Sequence, residues 1–178
     1  MLAARIMEDM VMENPVLENP IAGKTAIIRI SLDGGISHTA IPLITTLADA
    51  GARVVVVAGL GDPAGDINPA LSLRPFTPTL EEMTGKTVTF VDESVGTGAE
   101  AKLAEVPYGA IALMENLRFH SDERRAETVF AMRLSVLGDY FVDAGDPPLN
   151  QQGWQAALKK ILPEPDFSAI PTISREEA

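Results

Sequence analysis

The chain contains no cysteine, which excludes disulfide bridges, thiolate zinc sites and a cysteine nucleophile. It also has only two histidines. Neither His38 nor His120 has near it the serine, cysteine or carboxylate pattern that a catalytic base requires. Two isolated histidines do not form a metal site either. We therefore predict no catalytic residue, no metal and no cofactor, and we interpret both histidines as structural or surface residues.

Positive charge is scarce. Lysine and arginine number 14 against 25 aspartate and glutamate residues, so the formal net charge is -11. Such a chain repels nucleic acid and anionic membranes unless a local basic patch overrides the global field. The adjacent basic pairs, Arg124-Arg125 and Lys159-Lys160, are too small for such a patch. We therefore predict no nucleic-acid partner.

Long apolar runs are also lacking. The longest one, Val54 to Leu60, is far too short to cross a bilayer. The first twelve residues carry Glu8 and Asp9 where a secretory signal would need an unbroken apolar stretch. The sequence thus predicts a cytoplasmic protein without membrane insertion.

The pattern that is present is an alternation of strands and helices. Hydrophobic residues make up 46% of the 178 residues, enough for the core of a single domain. Stretches of helical spacing, such as His38 to Ala50 and Arg124 to Leu137, separate short β-branched segments. This alternation predicts an α/β fold, a doubly wound Rossmann-like parallel sheet with helices on both faces. The predicted strands are Thr25 to Ile30, Arg53 to Ala58, Thr87 to Val91, Ala110 to Met114 and Tyr140 to Val142.

Two helix ends carry local signals. Gly51 follows the first predicted helix at the position where a left-handed C-terminal cap is expected. Thr79 precedes Glu82 by three residues, which predicts a capping box for a helix over Leu80 to Thr84.

The two ends of the chain are interpreted as additions to this core. We divide the chain into an N-terminal extension (1–21), the α/β domain (22–150) and a C-terminal helix and tail (151–178). Leu2, Ile6, Met7 and Met10 would form one apolar face of a short helix, and Trp154 and Leu158 would share a face of the later helix. Met7, Met10, Trp154 and Leu158 are therefore candidate partner-binding residues, with packing on the chain's own core as the alternative.

Several motifs, in order along the chain, carry a resemblance to a known family. The most specific is Glu115 to His120, which reads Glu-Asn-Leu-Arg-Phe-His. With the others, it resembles the N-terminal domain of phosphoglycerate kinase over roughly Ala22 to Gly145. The other motifs are Gly23-Lys24-Thr25 leading into Ile28-Arg29-Ile30, Gly51 to Val56 followed by Leu60 to Pro63, Ser72 to Pro75, Gly85 to Val88, Phe90 to Asp92, Leu137 to Asp139 and Val142 to Ala144.

The resemblance implies that the two substrates of the reaction bind to two different domains. In that family the N-terminal domain binds 3-phosphoglycerate, a separate C-terminal domain binds Mg-ATP, and hinge closure joins them. The expectation is that this chain corresponds to the substrate-side domain and ends where the second domain would begin. Because phosphoryl transfer depends on positioning and charge neutralisation, the substrate pocket should be basic.

The positions that match the family's substrate ligands depart from that expectation. After the first strand, Ser31 and Asp33 stand at or near the family's Asp and Asn, and Ile36 stands at its Arg. After the second strand, Gly59 replaces a His and Asp62 replaces the phosphate-facing Arg. A cation replaced by an anion reverses the Coulomb interaction with a phosphate.

Arg118 alone remains of the motif-borne arginines, and it is a candidate anion ligand together with Asp33. Arg124 and Arg125 could assist it. The alternative is that Arg118 and Glu115 fix the geometry of their loop. The glycines at 59, 61 and 65 match neither standard phosphate-binding fingerprint, and we interpret them as a turn.

Three functional hypotheses follow. The first is a catalytically inactive phosphoglycerate kinase-like domain that serves as a binding, regulatory or assembly module, with a protein partner or a second copy. The second is an enzyme, or one half of a split kinase, that retains a site for 3-phosphoglycerate or another small anion around Arg118. The third is a purely structural subunit of a larger complex.

Overall fold

The computed structural model of the chain describes residues 20–32, 34–125, 127–145 and 153–170. In this part of the chain five parallel strands form one sheet, in the order β3-β4-β2-β1-β5. The expected doubly wound α/β sheet is thereby confirmed. The strands are β1 (Thr25–Arg29), β2 (Arg53–Val57), β3 (Val88–Val91), β4 (Ile111–Met114) and β5 (Tyr140–Asp143).

Helices cover both faces of the sheet, because alternate strand residues point to opposite sides. Ile28 of β1 packs in the core with α1 and α2, whereas its neighbour Ile27 packs with α3, α5 and α6. Full burial of one such side chain is worth about 1.5–3 kcal/mol. The helices are α1 (Ile41–Asp49), α2 (Thr77–Thr84), α3 (Thr97–Ala104), α4 (Asp122–Arg125), α5 (Glu127–Ser135) and α6 (Trp154–Ile161).

The predicted boundaries hold better for strands than for helices. Each strand lies within one residue of its prediction at either end. Gly51 adopts φ 84° and its amide donates to the Ala48 carbonyl, which confirms the left-handed cap. The predicted helix over Arg124 to Leu137 is helical at Arg124–Arg125 and again over Glu127–Ser135, and residue 126 between them lies outside the described residues.

The predicted capping box is wrong. Helix α2 begins at Thr77, after a 3-10 turn over Arg74–Phe76, and it has no side-chain cap. Pro78 lies in its first turn, where the fixed φ of proline suits a helix start. Further along the helix, Glu81 accepts a hydrogen bond at 3.0 Å from the amide of Val88 and so ties α2 to the edge strand β3.

The chain after α6 returns along the outer edge of β5. The amide of Phe141 donates to the Pro163 carbonyl at 3.0 Å, beyond β5 on the side away from β1. Ile170 is then buried among the residues that pack with α1 and α2, on the face opposite α6. Residues 163–170 therefore cross from one face of the sheet to the other around β5, as an irregular strap.

Within the described residues, every helix is too short or too polar to span a bilayer. Met7 and Met10 lie outside the described residues.

Candidate functional site

The candidate site lies where β1, β2 and β4 end. The segment after β2 leads to α2 on one face of the sheet, and the segment after β4 leads to α5 on the other. Ligands of open α/β sheets bind at such a divergence, outside the carboxyl ends of the strands. Here the structure has a recess of about 40 Å³ that is lined by Arg29, Ser31, Gly59, Arg118, Glu123 and Trp154, among others.

Arg118 contacts the loop that follows β2. Its Nη1 donates to the Gly61 carbonyl at 2.5 Å, and its amide donates to Asn116 Oδ1 at 3.0 Å. A Cβ atom at position 59 would lie 2.8 Å from Arg118 Nε, so the absent side chain of Gly59 makes room for the guanidinium. The Arg118 side chain thus fastens the β2 loop to the segment after β4.

The two residues that open the Glu-Asn-Leu-Arg motif hold the same loops together. Asn116 is fully buried, and its Nδ2 donates at 2.9 Å to the carbonyls of both Leu60 and Leu71. Its Oδ1 accepts from the amide of Leu60 at 3.1 Å as well as from Arg118.

Glu115 does the same for the segment before α2. Its carboxylate accepts from the hydroxyl of Ser72 at 2.8 Å and from the amides of Leu73 and Asn116 at 2.9 and 2.8 Å. The contacts of Glu115 and Arg118 are those expected of residues that fix loop geometry.

A second arginine, Arg29, lines the recess and was missed by the sequence reasoning. It closes β1, and its Nη1 forms an ion pair at 2.7 Å with Oδ1 of Asp143, at the end of β5. The two side chains are 17% and 7% exposed. A Cβ atom at Gly145 would lie 2.3 Å from Arg29 Nη1, so the guanidinium lies against that glycine backbone. The available signal was a charged residue that interrupts the apolar run of β1.

Two acidic residues, Glu123 and Asp62, belong to the segments at this end of the sheet. Glu123 lines the recess, and its Oε1 accepts from Trp154 Nε1 at 3.1 Å. Asp62 directly follows Gly61 and is exposed. The positions expected to face the substrate are thus neutral at Ile36, which is buried, and acidic at Asp62.

The predicted partner-binding residues of α6 are part of the core. Trp154 is 3% exposed and Leu158 is fully buried. The Trp154 ring meets Phe130 edge-on, with centroids 5.8 Å apart, and lies 6.1 Å from Phe141. Both side chains therefore pack on their own chain in this conformation, whereas Ile161 at the end of α6 is 44% exposed.

Other predicted residues fall outside the described part of the structure. Asp33 is one of them, and the side chains of Arg124 and Arg125 are two more. His120 is described: its ring lies 5.9 Å from that of Phe130. Burial, and secondarily the nearby Arg133, lowers the pKa of His120 below its usual value. Among the described residues no group of three or more His, Asp or Glu side chains is arranged to hold a metal ion.

The comparisons with known proteins agree with the motifs. The family model for phosphoglycerate kinase matches residues 24–145. The chain is 37% identical over 139 residues to the phosphoglycerate kinase of Streptomyces coelicolor, covering 70% of this chain and 34% of that protein. It is also 37% identical over 106 residues to a cytosolic phosphoglycerate kinase of Nicotiana tabacum, covering 60% of this chain and 26% of that one.

Solved structures give the same result. The phosphoglycerate kinase of Pyrococcus horikoshii has a TM-score of 0.68 at 21% identity, covering 81% of this chain and 40% of that one, which supports the fold alone. The phosphoglycerate kinase of Coxiella burnetii has a TM-score of 0.57 at 27% identity, covering 70% of this chain and 33% of that one. The chain spans about a third of the length of the curated relatives it matches.

Proposed function

Because this chain belongs to the phosphoglycerate kinase family, we propose that it is a catalytically inactive form of the substrate-side domain, one that serves in protein binding or assembly. The proposal concerns the carboxyl end of the sheet, where the family places its acid substrate. Three features of that region support it: the engagement of its arginines, its charge and its size.

The engagement of the two arginines is the observation that carries the proposal. Arg29 is paired with Asp143, and Arg118 Nη1 is bonded to the Gly61 carbonyl. A guanidinium that already satisfies internal acceptors must break those bonds before it can hold a phosphate bidentately. For Arg29 the cost is larger, since separating a buried ion pair leaves an uncompensated carboxylate.

The charge of the region also disfavours an anion. Asp62 occupies the position of the phosphate-facing arginine in the resembling motif. Two like charges 4 Å apart repel by about 4 kcal/mol at an effective dielectric constant of 20. Solvent screening reduces this value substantially at an exposed site. The charge at position 62 is thus opposite in sign to the positive charge that phosphoryl transfer needs beside the phosphate.

The recess is small for a phosphorylated acid. Its volume is about 40 Å³, which is enough for a few water molecules. Pockets that enclose small-molecule ligands usually measure about 300–1,000 Å³. A metabolite would have to bind on the surface or open the site.

A second candidate function has one observation in its favour. Arg29 and Arg118 line the same recess at the strand ends, and two guanidinium groups are a common means of holding a small anion. This is the alternative of a retained anion site around Arg118, in an enzyme or in one half of a split kinase.

Calorimetric titration of the whole chain with 3-phosphoglycerate separates the two candidates. We expect no binding tighter than the millimolar range for the wild type. The matched control for Arg118→Ala is Arg74→Ala, because Arg74 is exposed and its guanidinium lies 4.3 Å from the Phe90 ring, outside the recess. Micromolar binding that Arg118→Ala abolishes and Arg74→Ala preserves would refute the inactive assignment in favour of the anion site.

A gain of binding tests the charge argument directly. Asp62→Arg should raise the affinity for 3-phosphoglycerate by at least about tenfold over wild type, because it removes a repulsion and adds an attraction. Asp62→Asn, which only removes the repulsion, should fall between the two. Identical affinities in all three proteins would show that charge at position 62 does not control binding.

The binding or assembly role is tested separately. Light scattering over a range of concentrations measures self-association, and affinity capture from native extract tests for a specific partner. A chain that stays monomeric and captures nothing reproducibly would contradict this part of the proposal.

A further inference from the structure

A groove of about 260 Å³ lies at the amino end of the sheet, at the opposite end from the recess around Arg118. Three of the residues that line it stand side by side on adjacent strands. Thr25 opens β1 and pairs with Arg53, which opens β2. On the other side of β1, Asp139 directly precedes β5, and its amide donates to the Thr25 carbonyl at 2.8 Å. Because neighbouring strands are about 4.8 Å apart, the three residues form a row about 10 Å long.

The side chains of this row project to one face of the sheet. Alternate residues of a strand point to the same side. The residues two positions further along, Phe141, Ile27 and Val55, all pack in the core with α3, α5 and α6. The row therefore presents a carboxylate, a hydroxyl and a guanidinium on the face where α3 and α5 lie. The other residues that line the groove come from α3 and from the segment after α5: Glu100, Leu103, Ala104, Val136, Leu137 and Gly138.

The row has hydrogen-bonding groups that the protein itself does not use. Asp139 Oδ2 accepts from the amide of Thr25 at 2.8 Å, and Arg53 Nε donates to the Val106 carbonyl at 2.6 Å. Among the described residues, the Thr25 hydroxyl and the two terminal nitrogens of Arg53 have no hydrogen-bond partner. Thr25 is only 6% exposed, and a hydroxyl on so buried a side chain normally has a partner. These groups are available to a ligand in the groove.

The charges that line the groove define a complementary ligand. Arg53 contributes one positive charge, and Asp139 and Glu100 contribute two negative charges. Within the described part of the chain neither carboxylate takes part in an ion pair. Guanidinium groups bind carboxylates, and carboxylates bind ammonium groups. The complement is therefore a molecule with one carboxylate and two ammonium groups.

The apolar part of the lining and the length of the row restrict the ligand further. Leu103, Val136 and Leu137 also line the groove, and the methylene stem of a lysine-like molecule lies readily against apolar surface. The carboxylate and the guanidinium of the row come from residues about 10 Å apart. This separation favours a ligand whose side-chain ammonium group is several bonds from its carboxylate over a short amino acid such as glycine.

We propose that this groove binds a free basic amino acid of the lysine type. Its carboxylate binds the terminal nitrogens of Arg53 and the Thr25 hydroxyl. Its side-chain ammonium group binds Asp139, and its α-ammonium group binds Glu100. The site is at the opposite end of the sheet from Arg118, so the inference goes beyond the proposed function and does not depend on it.

Titration of the isotope-labelled whole chain with L-lysine, followed by NMR, tests the proposal. We expect saturable shifts of the amides of Thr25, Leu103 and Gly138, with a dissociation constant of about 1 mM or tighter. Cadaverine, which lacks the carboxylate, and L-norleucine, which lacks the side-chain ammonium group, should bind at least about tenfold more weakly. Shifts that do not saturate would overturn the proposal. Equal affinity for cadaverine would do so too, since it would show only the attraction of a cation to a chain of net charge -11.

Two variants test the assigned contacts. Thr25→Val keeps the branched shape and removes the hydroxyl, and Glu100→Gln removes one charge at an exposed position of α3. Each should weaken L-lysine binding by at least about fivefold. The matched control is Glu82→Gln, which removes the same charge at an exposed position of α2, on the other face of the sheet, and should leave the affinity unchanged.

Equal weakening by Glu100→Gln and Glu82→Gln would show that the overall charge of the chain, and not the groove, attracts lysine. That result would contradict the proposal. Neither titration involves Arg118 or 3-phosphoglycerate, so a failure here is distinct from a failure of the proposed function.

Discussion

Replacing Asn116 by alanine should be among the most damaging single polar substitutions in this domain. The side chain is fully buried and makes two donor and two acceptor contacts, with Leu60, Leu71 and Arg118. Removing it leaves two backbone carbonyls and two backbone amides without those partners. A neutral hydrogen bond contributes about 1 kcal/mol net, and a buried group left unsatisfied costs about 1–3 kcal/mol. Because water can reach some of these groups, we expect a total loss of about 3–4 kcal/mol.

Urea denaturation followed by circular dichroism measures this loss. With a slope near 2 kcal/mol/M, the midpoint should fall by about 1.5–2 M. The control is Asn68→Ala, which removes a single exposed hydrogen bond that the amide of Ala70 donates to Asn68 Oδ1 at 3.0 Å. It should cost about 0.5–1 kcal/mol, as is usual for an N-cap residue. A loss below about 1 kcal/mol for Asn116→Ala, or equal losses for the two variants, would refute the view that Asn116 holds the site loops together.

Asn116→Asp refines the same test. It keeps the shape and both acceptor contacts but turns the donor toward the carbonyls of Leu60 and Leu71 into an oxygen. Burial raises the pKa of such a carboxyl, so this variant should regain part of its stability as the pH falls. A stability that declines in parallel with the wild type would contradict this.

Two further predictions concern the backbone and pH. Gly65→Ala should lower the free energy of unfolding by about 2–3 kcal/mol, because it combines backbone strain at φ 92° with a Cβ atom 2.9 Å from Ser121 Cα. Gly85→Ala, at φ 65°, meets no atom within 4 Å and should lower it by only about 1 kcal/mol. Thermal melting of the two variants measures the difference. The pKa of His120 is lowered on folding by burial first and Arg133 second, against smaller opposing effects of Asp122 and Glu93, so the unfolded chain binds its proton more tightly. The free energy of unfolding should therefore decrease as the pH falls below about 6.5, by at most about 1.4 kcal/mol per pH unit. In His120→Gln the free energy of unfolding should depend less steeply on pH between about 7.5 and 5.5.

The sheet could be predicted from sequence because its information is local. Runs such as Val54 to Val57 are apolar, β-branched and short, and the full burial of these β2 residues confirms that the strand is covered on both faces. Helix starts were less predictable. Thr79 and Glu82 satisfied a local pattern, but Pro78 and the preceding 3-10 turn let α2 begin earlier.

The candidate site was only partly accessible to sequence reasoning. The motif around Arg118 located one side of it. Arg29 was missed because its partner Asp143 is 114 residues away in sequence and only the parallel pairing of β1 with β5 brings them together. The internal bonds of Arg118 could not be predicted either, because they depend on the path of the β2 loop past Gly59 and Gly61.

The return of the chain past β5 affects how this protein can associate. A parallel sheet exposes amides and carbonyls along its outermost strands, and such an edge can recruit a strand from a neighbouring molecule. The amide of Phe141 already donates to the Pro163 carbonyl, so it cannot pair with a strand from another molecule. Because proline has no amide N–H, Pro163 cannot donate a hydrogen bond to a further strand on its outer side. At this point of β5, the segment around Pro163 of the same chain therefore blocks the addition of strands that would build fibrils or sheet-bridged dimers.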